Sequence, residues 1–98
     1  MTDTISPLEA LASMPPPIHP GEFIREELLP LLDISLADLG IRTGVPVEYL
    51  HRLTQEDAAI TPEVAIALSS LEEIDPLLWM ELQAVYDLWY AYRRFRER

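Results

Sequence analysis

The spacing of apolar positions along the chain reads as a succession of helices. Ile24, Leu28 and Leu31 recur at i, i+4 and i+7, which places them on one helical face. Leu36 with Leu39, Leu50 with Leu53, and Val64 with Leu68 and Leu71 mark three further inward stripes. The longest stripe runs from Trp79 through Leu82 and Tyr86 to Trp89, at spacings of three, four and three. A second row, Leu78, Val85 and Tyr92, runs beside it. No segment alternates apolar and polar residues over five or more positions, so strands are not expected. The pattern predicts an all-α fold.

The residues between the stripes agree with it. The first core helix is expected to begin near Glu22, after His19-Pro20-Gly21. It should end or bend near Pro30, which has no N–H and pushes Leu29 away from the α region. Ser35 caps a second helix with Asp38 placed to reach back, and Gly44 suits a left-handed terminator. The third helix starts after only Gly44-Val45-Pro46 and leaves through the polar Gln55-Glu56-Asp57. Thr61-Pro62 and Asp75-Pro76 each join a cap to a proline at the first helical position, opening the fourth and fifth helices. Residues 1–18 read as an arm ahead of a domain spanning 19–98. In the arm, Ser6-Pro7-Leu8-Glu9 has the form of a capping box, and Pro15-Pro16-Pro17 forms a stiff extended spacer. A helix of about eight residues is marginal alone, so a mobile tail outranks a short helix here.

Composition narrows the function classes. The 98 residues carry 17 acids and 7 bases, a net charge of −10, and every base is arginine. That balance argues against indiscriminate attraction to nucleic acid. Cysteine is absent, which removes disulfides and thiolate metal sites. No apolar run approaches the roughly 18–20 residues of a membrane span, and the first residues lack a cationic start, so a cytoplasmic protein is expected. His19 and His51 are the only histidines and lack metal-ligand spacing; they read as cap or surface residues. Glu26 and Glu27 are adjacent, project to different sides of a helix, and make no catalytic pair. Without a nucleophile–base pair or a metal cluster, neither an enzyme nor a cofactor is expected. Two apolar rows on the last helix are wider than one neighbouring helix covers. Trp79, Leu82, Val85, Tyr86, Trp89 and Tyr92 are therefore candidates for a dimer or partner interface. Arg93, Arg94, Arg96 and Arg98 suit the negative end of that helix's dipole, which outranks a nucleic-acid patch as their reading.

A helix, a turn of about four residues containing glycine, and a short second helix make the helix-turn-helix pattern. Four stretches carry a more specific resemblance: His19-Pro20-Gly21-Glu22-Phe23-Ile24-Arg25-Glu26-Glu27; Ile34-Ser35 with Leu39 and Gly44-Val45; Ile60-Thr61-Pro62-Glu63-Val64-Ala65; and Trp79-Met80-Glu81-Leu82-Gln83-Ala84-Val85-Tyr86-Asp87-Leu88-Trp89. From His19 to about Ala91 the chain resembles HigA-type, or VapI-type, antitoxins of the lambda-repressor/Cro-like helix-turn-helix family. The resemblance implies a five-helix domain. It also implies membership of a type II toxin–antitoxin pair: neutralisation of a RelE-like, HigB-type ribonuclease toxin, homodimerisation, and repression through operator double-stranded DNA.

The residues at the reading positions depart from the family. A polar residue, often glutamine, usually follows the serine that opens the second helix; here it is Leu36. The recognition helix usually opens on serine, arginine or threonine; here it opens Pro46-Val47-Glu48-Tyr49. Base edges are read mainly by Arg, Asn, Gln, Lys, Ser and Thr, although valine can touch a thymine methyl and tyrosine can bond a phosphate. The expected DNA-facing set is Arg42, Thr43, Val47, Glu48, Tyr49 and Arg52. Between residues 35 and 57 there are two arginines against four acids, a balance of −2. Two functions from different classes follow: an antitoxin that represses at its operator, or a protein-binding antitoxin or scaffold that kept the fold and lost operator recognition.

Overall fold

A computed structural model describes residues 5–98. Among them there are only helices, turns and irregular segments. The elements are α1 (Pro7–Ser13), α2 (residues 20–32), α3 (Leu36–Thr43), α4 (Val47–Thr54), α5 (Pro62–Ser69) and α6 (Pro76–Arg96).

Every start except that of α4, which follows Pro46, is fixed by a side chain that satisfies an otherwise orphaned N–H. Ser35 Oγ accepts from Asp38 N–H at 3.1 Å while the Asp38 carboxylate accepts from Ser35 N–H at 3.4 Å, a complete capping box. Thr61 caps α5 by accepting from Val64 N–H at 3.3 Å, and Asp75 caps α6 by accepting from Leu77 N–H at 2.9 Å. Of the Ser6–Glu9 pair the serine half forms, at 3.1 Å. The start of α2 differs from expectation: it lies at Pro20, because His19 Nδ1 accepts from Gly21 N–H at 2.9 Å and serves as the cap.

Pro30 does not end α2. Ile24–Leu28 widens into a π turn, in which Leu29 N–H reaches the Ile24 carbonyl, and the rod continues through Leu29–Leu32 to a left-handed Asp33. The wide turn makes room for the proline ring, and Leu29 stays helical at φ −63°, ψ −45°. A wide turn also inserts one residue into the helical repeat. The inward face therefore passes from Ile24 and Leu28 to Leu32, which packs on the core, and Leu31 is turned out at 75% exposure. The expected stripe of Ile24, Leu28 and Leu31 is thus corrected at its last member.

The core gathers Ile24 and Leu28 of α2, Leu39 of α3, Val45 of the corner, Leu50 and Leu53 of α4, Ile60, and Val64, Ala65 and Leu68 of α5 around Trp79. Trp79 meets Phe23 edge to face, with ring centroids 5.5 Å apart. Trp79 and Trp89 are buried within the chain itself, at 1% and 7% exposure, which removes both from the expected interface. Leu82, Val85, Tyr86 and Tyr92 are half-buried. Burial of Trp89 comes from the arm: α1 lies along α6, and Trp89 Nε1 donates to the Met14 carbonyl at 3.1 Å. The arm, for which helix length alone favours a mobile tail, is a short helix packed on α6.

Candidate nucleic-acid interface

Helices α3 and α4 are separate rods joined by Gly44-Val45-Pro46. Gly44 takes φ +77°, where a side chain is strained, and donates its N–H to the Gly40 carbonyl at 2.8 Å. The Thr43 hydroxyl completes the corner, donating to the Leu39 carbonyl at 2.7 Å and accepting from Val45 N–H at 3.2 Å. A Cβ at Gly40 would sit 3.1 Å from the Val45 carbonyl oxygen, so the absence of a side chain there lets the corner fold tightly onto α3.

The turn holds α4 with one face in and one face out. Leu50 and Leu53 are fully buried, whereas Val47, Glu48, His51 and Arg52 are exposed. The polar groups of the expected DNA-facing set divide accordingly. Arg42 and Glu48 lie at the surface without an ion pair among the described residues. Thr43 spends its hydroxyl on the corner. Tyr49 is half-buried and its hydroxyl donates to the Ala59 carbonyl, so the hydrogen expected to meet a phosphate is already engaged. Arg52 Nη2 donates to the Asp57 carbonyl at 3.1 Å, bracing the loop after α4. Sequence reasoning missed Ile41, which at 82% is among the most exposed large apolar residues. With Ala37, Gly40, Val45 and Val47 it lines an open crevice of about 320 Å³ between α3 and α4. The i+4 spacing from Ala37 to Ile41 was the available signal.

Among the described residues no group of three His, Cys, Asp or Glu is placed to hold a metal, and no helix is long and apolar enough to cross a membrane.

The chain matches no protein-family model. It is 33% identical over 73 residues to virulence-associated protein I of Dichelobacter nodosus, covering 74% of this chain and 68% of that protein. An HTH-type transcriptional regulator of Escherichia coli strain K12 is 35% identical over 70 residues, covering 71% of this chain and 73% of the regulator. Among solved structures, the Pseudomonas aeruginosa antitoxin HigA with the higBA promoter superposes at a TM-score of 0.77, with 34% identity over 83% of this chain and 88% of that one. The chain belongs to the HigA/VapI-type antitoxin family of helix-turn-helix proteins. The last two of these relatives are a transcriptional regulator and an antitoxin.

The structure gives the HigA-type motif residues physical reasons. A Cβ on Gly21 would collide with the Leu53 carbonyl group, so this glycine permits the start of α2 to press against the end of α4. Beside it, the Arg25 guanidinium donates to the Thr54 carbonyl and lies 3.7 Å from the Glu56 carboxylate. His19 is buried with its ring edge-on to Tyr86 at 4.8 Å, and burial holds its pKa below the ordinary 6.5. Gln83, on the inner face of α6, accepts from Ile60 N–H at 2.8 Å and donates to Asp87 at 3.0 Å. Together these four residues clamp the platform from which α4 projects.

Proposed function

We propose that this HigA-type protein is the antitoxin of a type II pair, neutralising a RelE-like, HigB-type ribonuclease toxin and repressing its own operon as a homodimer on operator DNA. The observation that carries the DNA part is the outward display of α4 on a clamped corner, in a chain a third identical to an antitoxin solved with its promoter. Arg42, Val47 and Glu48 are the residues free to meet DNA, with Arg42 supplying phosphate charge and Val47 a methyl contact. The toxin part is supported by charge: a net −10 steers a basic partner.

A second reading is favoured by a specific observation. The surface around α4 is apolar at Ile41 and Val47 and acidic at Glu48, while Tyr49 and Arg52 are engaged within the chain. A protein that binds the toxin through this fold and has lost operator recognition would look the same. Mobility shift on the DNA upstream of the gene, with and without the neighbouring gene product and at two salt concentrations, separates the two. A sequence-preferring shift that weakens with salt supports the repressor. No preference at low salt, in either state, leaves the protein-binding reading.

A further inference from the structure

A hollow of about 250 Å³ lies where the spacer after α1, the start of α2, the turn after α5 and the start of α6 meet. Ile18, Phe23, Ile74, Leu78, Trp79 and Leu82 line it. Trp79 belongs to the core, and Phe23, Ile74 and Leu82 are half-buried. Ile18 and Leu78, at 39% and 48%, are the exposed members and mark the mouth. The one polar atom among the six side chains, Trp79 Nε1, is itself buried. No polar group is therefore on hand to orient a small ligand, and the volume falls below the roughly 300–1,000 Å³ of small-molecule sites. The space suits one large apolar side chain, the kind of anchor that carries most of the affinity at a protein interface.

Charge selects what brings that side chain. The segments that form the walls are acidic: Glu22 adjoins Phe23, Glu73 and Asp75 flank Ile74, and Glu81 adjoins Leu82. Glu73, Asp75 and Glu81 are exposed and Glu22 is half-buried. Among the described residues the ion pairs within 4.0 Å are those of Arg25 with Glu26 and Glu56, so none of these four carboxylates is in one. Between Arg52 and Arg93 the chain carries eight acids and no base. An apolar anchor flanked by Arg or Lys meets these carboxylates as it enters, whereas one on an acidic partner is turned away.

We propose that this hollow seats a large apolar side chain, flanked by Arg or Lys, of a cationic protein partner. The proposal rests on the reading of this chain as the antitoxin of a basic toxin, and it names the surface on which that toxin docks.

The test uses the full chain and the product of the neighbouring gene, with affinity from isothermal titration calorimetry and rates from stopped flow. Leu78→Asp puts a carboxylate at the mouth and is expected to weaken the complex at least about thirtyfold. Leu78→Met keeps the apolar bulk and should stay within about threefold of the unaltered chain. Leu31→Asp adds the same charge at another exposed leucine, at 75% exposure, and should bind as the unaltered chain does. Glu73→Lys, at an exposed position, should slow association about tenfold at low salt, an effect that fades as salt is added. Circular dichroism checks each fold, and Glu73→Lys carries the test if Leu78→Asp does not fold. Undiminished affinity in Leu78→Asp, an equal loss in Leu31→Asp, or an unchanged low-salt association rate in Glu73→Lys overturns the proposal and leaves the antitoxin reading standing. If Leu78→Asp binds the neighbour normally but loses self-association in sedimentation equilibrium, the hollow seats a second copy and the proposal fails. No complex between the neighbour and the unaltered chain overturns both.

Discussion

At the scale of single residues, Gly21 and His19 tie the recognition platform together. Gly21 accepts no side chain because the Leu53 carbonyl occupies the space a Cβ would need. Gly21→Ala is therefore expected to cost about 3–5 kcal/mol, a large part of the stability of a domain this size, and urea denaturation measures it. His19 is buried neutral, its Nδ1 accepting from Gly21 N–H. Its folded pKa lies below the unfolded value of 6.5, so the unfolded state binds the proton more readily. The stabilising contribution is whole above pH 6.5 and is lost as pH falls through the folded pKa. Melting temperature should drop on acidification below pH 6.5, and His19→Asn, which caps without titrating, should flatten that part of the profile. A profile unchanged by the substitution would remove His19 as its source.

At the scale of elements, α1 and α2 show how packing overrides local preference. Seven residues form a helix in α1 because α6 receives it, with the Trp89 indole N–H holding the Met14 carbonyl as the chain enters the proline spacer. Trp89→Phe keeps the ring and removes that donor. Cleavage at Glu9 by a glutamate-specific protease should then quicken about fivefold, the effect of losing one hydrogen bond of about 1 kcal/mol, with global stability little changed. Equal cleavage of both proteins would show that the bond does not hold the arm. In α2, the same proline that predicts a helix end is absorbed by a π turn, and the cost is local: one residue of register, which exposes Leu31 and seats Leu32.

For the molecule as a whole, the balance of charge governs association. At a net charge of −10 the protein as a whole repels phosphate, and exposed arginines such as Arg42, Arg52 and those at the end of α6 are local exceptions. Glu48 lies exposed on the outward face of α4. Glu48→Arg changes the local charge by two per subunit and should tighten association with upstream DNA about tenfold or more at low salt, with a steeper salt dependence. Mobility shift across a salt series checks this, and an unchanged affinity would mean that α4 faces away from phosphate.

Much of the architecture was legible in the sequence, because helix starts and inward stripes are local properties. A cap, a proline and an i, i+4 spacing act within one or two turns, so the beginnings of α3, α5 and α6 and the corner at Gly44 follow from neighbouring residues alone. The family resemblance was legible for the same reason: its motifs are the residues that clamp the platform. What the chain could not disclose by spacing depends on contacts far apart in sequence. Tyr49 and Arg52 have the right chemistry for DNA until Ala59 and Asp57 arrive to engage them. Trp89 looks like an interface residue until the arm, 75 positions away, covers it. Only tertiary packing, which assigns each hydrogen-bonding group and each apolar face one partner at the expense of another, decided which residues of this antitoxin-family protein remain free to bind.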